Sequence, residues 1–193
     1  MRKIVAFDFD GTLTTRDTLI EFIRYAKGSL SLGLGFLRFA HLLVMMKLKL
    51  YPNWKAKQKV FAHFFEGMKQ EDFNDLCKAF AASSRHLLRP KGIEAVDKAI
   101  SEGAEVLIVS ASIDNWVQPF FPEVKVLGTQ IEVCDGKLTG RFLTQNCYGQ
   151  EKVNRLQALY PHRQDYHLTA YGGSRGDKEL LAFANESYFK PFR

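Results

Sequence analysis

Asp8 and Asp10 stand one residue apart at the end of the apolar run Lys3-Ile4-Val5-Ala6-Phe7, and Gly11-Thr12-Leu13-Thr14 follows at once. Strand side chains alternate between faces, so both carboxylates are expected to leave the strand end on the same side. Carboxylates that close repel unless a cation or a shared proton lies between them. That points to a hard, oxygen-preferring divalent ion, Mg2+ foremost. Three other loops carry groups that a phosphate site uses. Ser110, in Val109-Ser110-Ala111-Ser112, offers a hydroxyl beside backbone N–H groups able to hold phosphoryl oxygens. Lys152 stands at the start of a helix. Gly172-Gly173-Ser174-Arg175-Gly176-Asp177 ends in an acid that could support a metal or simply cap the next helix. Each has a plain alternative: a helix cap for Ser110, a solvated surface for Lys152, a strand that happens to end in acids for the pair.

The elements that must hold these groups are legible as periodic segments. Residues 2–8 read as a buried parallel strand, being nearly continuously apolar. Residues 17–27 read as a helix with Leu19, Ile20, Phe22, Ile23 and Ala26 inward and Gly28 as its stop. Residues 30–50 are the most apolar stretch. Arg38, His41, Lys47 and Lys49 interrupt it and Gly33 and Gly35 weaken it, so it is read as one or two amphipathic helices and not as a membrane span. The reading taken is the core of a small helical domain. Contact with anionic headgroups through Lys47, Lys49, Lys55, Lys57 and Lys59 stays open beside it. Helices follow over 54–65 and 71–85. After Pro90 the pattern alternates: helix 93–102, strand 105–109, short helix 114–120, strand 125–133, a hairpin about Asp135-Gly136, helix 151–160, strand 166–171, helix 178–184, and a last strand over 188–192. Strands alternating with helices imply an α/β fold with a Rossmann-like, doubly wound parallel sheet, and such sheets bind ligands beyond the carboxyl ends of their strands.

The totals bound the rest. A chain of 193 residues can build one sizeable core, or one core with a small insert. A net charge of +6 favours anionic partners such as phosphate esters or anionic lipid. No run of about five or six like charges occurs, and no nucleic-acid reader motif, so nucleic acid is not expected as a partner. Cys77, Cys134 and Cys147 are odd in number and far apart, which fits reduced thiols in a cytoplasmic protein. The chain opens directly on a strand, and a secretory signal is not expected.

Asp8-Phe9-Asp10-Gly11-Thr12-Leu13-Thr14 resembles the first motif of the haloacid dehalogenase superfamily of phosphohydrolases. The order and strand context of the other three loops match it too. The resemblance covers the whole chain and is nearest the phosphoserine-phosphatase-like branch, whose helical cap is inserted just after the first motif. It implies a core of residues 1–14 and 89–193 and a cap of residues 15–88. It implies a Mg2+-dependent phosphomonoester hydrolase in which Asp8 becomes an aspartyl phosphate. Asp10 then acts as acid and base, and Ser110, Ala111 and Lys152 hold the phosphoryl group. Asp17 at the start of the cap would contact substrate, or serve only as a helix cap. Asp8, Asp10 and Asp177 would hold the metal. The chain departs from the family at Gly173, where an Asp usually ligates Mg2+, so impaired metal binding and turnover are expected. Transfer to an alcohol acceptor, and a degenerate protein that only binds phosphate, are the alternatives. The apolar, Lys-bearing cap is similar in character to that of the phosphatidylglycerophosphatase C group, membrane-associated members of this branch. That similarity implies an amphipathic phosphate ester as substrate and peripheral contact with the inner face of a membrane.

Overall fold

The computed structural model describes residues 2–48 and 50–193; Lys49, grouped above with the headgroup-binding lysines, lies outside them. The apolar run at the start forms β1 (Arg2–Phe7), and a tight turn across Phe9–Leu13 follows it. Four helices come next: α1 (Thr18–Arg38), α2 (Ala40–Lys47), α3 (Asn53–Phe65) and α4 (Gln70–Ser83). The chain then runs through α5 (Pro90–Ser101), β2 (Glu105–Ile113), α6 (Asp114–Val117), β3 (Lys125–Thr129), β4 (Ile131–Cys134), β5 (Lys137–Phe142), α7 (Gln150–Leu159), β6 (Tyr166–Gly172), α8 (Lys178–Phe183) and β7 (Glu186–Phe189).

Five strands form one parallel sheet in the order β3-β2-β1-β6-β7, with β1 at its centre. Alternation along β1 divides the core. Ile4 and Ala6 face Leu107, Val109, Leu168 and Ala170, and are covered by Val153 and Leu156 of α7 and Leu180 of α8. Phe7 faces the other way with Val106 and Ile108, toward α5 and the four-helix layer. Burial on both faces is why these strands read as continuous apolar runs. The same alternation sends Asp8, two residues beyond Ala6, toward α7.

The helical layer packs around Phe22 of α1. Its ring lies 5.0–5.6 Å from those of Phe65, Phe73, Phe80 and Trp116, separations at which aromatic pairs attract. Gly28 does break α1, with φ 82° and ψ 163°, but the helix resumes at once and runs on to Arg38. Gly35 lets α1 approach α3 closely, because a Cβ there would run into the Phe64 ring. The hairpin β4–β5 leaves the main sheet and leans on the helical layer. Leu138 N donates to Met68 O at 2.9 Å, and Phe142 N donates to the Gln58 side chain at 2.9 Å.

Three sequence expectations shift. The strand read over 125–133 is two strands that part at Gln130, one in the parallel sheet and one in the hairpin. The last strand ends at Phe189, because Phe192 instead stacks on Tyr171 and Phe7, 5.5 and 6.4 Å away. The strand read over 105–109 continues to Ile113, carrying Ser110, Ala111 and Ser112 through a register shift against β3.

Candidate active site

The carboxyl ends of β1, β2 and β6 meet the start of α7, and four sequence-selected groups converge there. Asp8, directly after β1, is 4% exposed. Its Oδ2 accepts from Thr12 Oγ1 at 2.8 Å and its Oδ1 from Lys152 Nζ at 2.6 Å. Lys152 comes from the first turn of α7 and is itself buried. Its ammonium has three N–H donors, and three acceptors surround it: Asp8 Oδ1, Asp177 Oδ1 at 2.6 Å and the Val109 carbonyl at 2.7 Å. A lysine is therefore the cation that sits between the two buried carboxylates.

Burial sets the electrostatics of this trio. It pushes the Asp8 carboxyl up, with Asp177 adding to the rise, and Lys152 only partly offsets it, so Asp8 titrates at about 6. Burial alone would lower the Lys152 pKa, but Asp8 and then Asp177 outweigh it and hold the ammonium charged well above its ordinary range. Burial would likewise raise Asp177. Lys152 and donors from Ser174 override it, and Asp177 stays below the usual carboxylate range.

Asp10 does not share a partner with Asp8. The strand ends at Phe7, and Gly11, at φ 75°, turns the chain, so face alternation no longer relates the two acids. The Asp10 Oδ1 accepts from Thr18 N at 2.9 Å and Thr18 Oγ1 at 2.7 Å. Its Oδ2 accepts from Ser112 Oγ. Trp116 Nε1 donates to Thr18 Oγ1 at 3.1 Å and so braces the arrangement from behind. The two acids have separate protein partners, Asp8 on the α7 side and Asp10 at the start of α1, and both line the pocket.

Ser110 is buried, and its Oγ accepts from Ser112 N at 3.1 Å. The neighbouring Ala111 carbonyl accepts from Thr129 Oγ1 at 2.9 Å and from Lys57 Nζ at 2.6 Å. Asp17 caps α1, accepting from Leu19 N at 3.0 Å and Ile20 N at 3.4 Å, and also stands on the pocket wall. Desolvation in the pocket and then the Asp10 charge raise its pKa. Asp177 is fully buried, and its Oδ2 accepts from Gly173 N at 3.0 Å, Ser174 N at 2.8 Å and Ser174 Oγ at 2.8 Å. Both of its oxygens are thus committed to Lys152 and to the 173–174 loop, where Asp177 and Ser174 form a capping box.

A pocket of about 420 Å³ opens over this floor. Asp8, Asp10, Ser110 and Lys152 form its polar end, and Ile20, Ile23, Phe36, Met46 and Val60 of the helical layer form its apolar end. Residues not singled out from sequence also take part. Thr18 and Ser112 orient Asp10, Thr12 holds Asp8, and Asn146 and Tyr148 line the wall. Lys57, grouped from sequence with the lysines that could meet anionic headgroups, turns inward to the Ala111 carbonyl. Burial lowers its pKa, and Asp10 and Asp17 oppose that. The spacing of lysines in 55–59 carried no sign of which one would turn in.

The donor set fits Mg2+ in kind, since Asp8 and Asp10 present hard carboxylate oxygens to the pocket. It is short in number. Gly173 contributes no side chain, and among the described residues no group of three or more His, Cys, Asp or Glu is placed to hold a metal. A Cβ at Gly173 would come 2.9 Å from Thr12 Oγ1 and 3.2 Å from the Gly11 carbonyl, so the place of the missing side chain lies against the Asp8 turn.

Residues 5–182 match the model of the haloacid dehalogenase-like hydrolases. Protein CicA of Caulobacter vibrioides is 34% identical over 196 residues, covering 98% of this chain and 86% of the relative. A Bordetella pertussis Tohama I protein with unknown function has a structure similar to this one, with a TM-score of 0.84 at 18% identity, covering 97% of this chain and 89% of its own. A probable phosphoserine phosphatase from Vibrio cholerae aligns with a TM-score of 0.71 at 16% identity, over 98% of this chain and 56% of its own.

Proposed function

Because the chain belongs to the haloacid dehalogenase-like hydrolase family, we propose that it hydrolyses phosphate monoesters through a phosphoryl group carried on Asp8. The observation that supports this most is the setting of Asp8. It is a buried carboxylate at the end of the central strand, between Lys152 and Thr12, on the floor of a pocket that also holds Ser110. A structural carboxylate so placed needs no access to a cavity, whereas a nucleophile does.

In the proposed reaction the Asp8 carboxylate attacks phosphorus. An Asp8 O–P bond forms, the ester P–O bond breaks, and Asp10 gives its proton to the departing alkoxide. Asp10 then takes a proton from water as that water attacks the same phosphorus, releasing inorganic phosphate and restoring Asp8. One hard displacement becomes two easier ones. The separate anchoring of Asp10 suits its task, since Thr18 and Ser112 hold it apart from Asp8. Ser110 and the Ala111 amide face the phosphoryl oxygens. Lys152 keeps the negative charge on Asp8 tolerable before transfer and faces the phosphoryl group after it. Asp17 and Lys57 border the leaving group at the pocket wall.

Haloacid dehalogenase phosphatases generally use Mg2+, and Asp8 and Asp10 would hold it here. When bound, the ion would offset charge on the transferring phosphoryl group. Asp177 acts one step behind by fixing Lys152 and the 173–174 loop. With Gly173 in place of a ligand, water must complete the coordination shell, which Mg2+ accepts at a loss of affinity.

The test is turnover of a soluble aryl phosphate by the Asp8→Asn and Asp10→Asn variants. Loss of the covalent nucleophile costs a serine protease about 10⁶-fold in kcat, and Asp8→Asn is expected to fall by several orders of magnitude. Asp10→Asn should lose less in the first step and stall in the second. Full turnover by Asp8→Asn would overturn the reading.

A further inference from the structure

Six of the fourteen amide side chains in the sequence line one cavity beside the pocket over Asp8. They are Asn53 and Gln58 of α3, Gln145 and Asn146 of the segment after β5, and Gln150 and Asn154 of α7. The cavity measures about 750 Å³, against about 420 Å³ for the pocket, and the two share Asn53, Asn146 and Tyr148 in their walls. Aromatic rings frame the amides. Trp54 and Tyr148 are 43% and 44% exposed, and Phe142 joins them from β5. Charge is nearly absent. Glu151 is the one charged side chain in the lining, and its Oε1 accepts from Arg155 Nε at 3.0 Å. Its Oε2 accepts from Asn154 Nδ2 at 3.2 Å, and Asn154 Oδ1 accepts from Gln150 Nε2 at 3.2 Å, so the polar groups of α7 stand in a fixed row. Gln58 Oε1 accepts from Phe142 N at 2.9 Å and Asn146 Oδ1 from Thr129 Oγ1 at 3.3 Å. Among the described residues, the NH2 groups of these two amides have no protein partner.

We infer that this cavity binds the neutral, hydroxyl-rich ring of a sugar phosphate whose phosphate lies over Asp8. Ligand pockets are ordinarily apolar with a few polar groups; here the proportion is reversed, so the lining selects for a polar ligand. The absence of a free charge selects for a neutral one. A carboxylate, an ammonium or a second phosphate would be desolvated there without a countercharge, which makes an amino-acid phosphate a poor match. An amide both donates and accepts hydrogen bonds, as an alcohol hydroxyl does. Several amides around one space can therefore read several hydroxyls, while the exposed faces of Trp54 and Tyr148 cover the C–H side of a ring. The shared wall residues make the two cavities neighbours, so one ligand can occupy both. The placement of the phosphate rests on the phosphatase reading, whereas the recognition of the ring does not.

Calorimetric titration of the full chain carrying Asp8→Asn, which blocks turnover, tests the subsite. The ligands are glucose 6-phosphate, ribose 5-phosphate, adenosine 5′-monophosphate, phosphoserine and inorganic phosphate. The two sugar phosphates should bind at least about tenfold tighter than phosphoserine and inorganic phosphate, because a site built to hydrogen-bond hydroxyls rejects ligands that lack them. Adding Gln145→Ala/Asn154→Ala, two exposed positions, should erase that margin while inorganic phosphate binds as before. The unsubstituted chain gives a second readout. Of its two tryptophans Trp116 is buried, so the emission of Trp54 should change with the sugar phosphates and not with inorganic phosphate. Equal affinity for all the ligands, or a margin that survives the double substitution, would overturn the subsite. Adenosine 5′-monophosphate bound far more tightly than ribose 5-phosphate would overturn the sugar assignment, because the cavity would then belong to a base. Sugar phosphates bound with the expected margin but not hydrolysed by the parent would sink the phosphatase reading and leave the subsite intact. Hydrolysis of an aryl phosphate with no such margin would do the reverse.

Discussion

At the scale of single residues, the site is governed by Lys152. Among the described residues it is the one countercharge in contact with Asp8 and Asp177, two carboxylates that are almost wholly buried. Removing one partner of a buried ionic cluster typically costs about 3–5 kcal/mol, because the charge left behind is unpaired. Lys152→Ala is therefore expected to lose roughly that much stability, and the sign of its pH dependence follows from the pKa values. Asp8 is already raised to about 6 and rises further without Lys152, and Asp177, which Lys152 helps hold below the usual carboxylate range, loses that support. A raised acid penalises the fold above its folded pKa and not below its unfolded one. The cost should be larger at pH about 8 and should shrink toward pH about 5, where Asp8 binds a proton in the folded state. Urea unfolding of both proteins at the two pH values checks it; a cost that grows on acidification would contradict the assignment. Gly173→Asp is the complementary change. It should tighten Mg2+ binding, at the cost of shifting Thr12 Oγ1, 2.9 Å from the new Cβ and hydrogen-bonded to Asp8, and of easing the Gly11 carbonyl at 3.2 Å. Calorimetric titration with Mg2+ reads the effect directly. Unchanged affinity would show that the shortfall of ligands at Gly173 does not limit the site.

At the scale of elements, α1 is the piece that joins site to helical layer. Its N-terminus is capped by Asp17, its first residue Thr18 anchors Asp10, and its core face centres the aromatic cluster on Phe22. Gly28 divides it with a backbone conformation that is essentially restricted to glycine. The space around Gly28 is open, so a methyl group there meets nothing. Any cost of Gly28→Ala is therefore backbone strain alone, about 1–3 kcal/mol. The measurable outcome is a lower midpoint of unfolding with pocket chemistry retained. A variant as stable as the parent would mean that α1 can straighten through Gly28 without loss.

At the scale of the whole molecule, the physical difference between what was legible in sequence and what was not is one of locality. The apolar runs of β1, β2 and β6, each closed by a polar or glycine-rich loop, announce strands buried on both faces. Asp8, Ser110, Lys152 and Asp177 were all marked by following such runs or opening the next helix, and they do meet. What stayed hidden depended on distant partners. Asp10 could not be separated from Asp8 without knowing that Thr18 and Ser112 wait for it across the turn. Asp177 could not be seen to spend both oxygens on Lys152 and its own loop. Lys57 looked like its neighbours Lys55 and Lys59 until the fold brought the Ala111 carbonyl to it. The split of 125–133 at Gln130 was hidden because both halves are strands, paired with different partners.

The central claim is that phosphorus is bonded to Asp8 during turnover. Rapid acid quenching during turnover of an aryl phosphate, followed by peptide mass analysis, tests it directly. One added phosphoryl group is expected on the peptide that contains Asp8, accumulating further in Asp10→Asn, where its hydrolysis is slowed, and absent from Asp8→Asn. Steady turnover with no phosphorylated peptide in Asp10→Asn, or a phosphoryl group that persists in Asp8→Asn, would contradict the account.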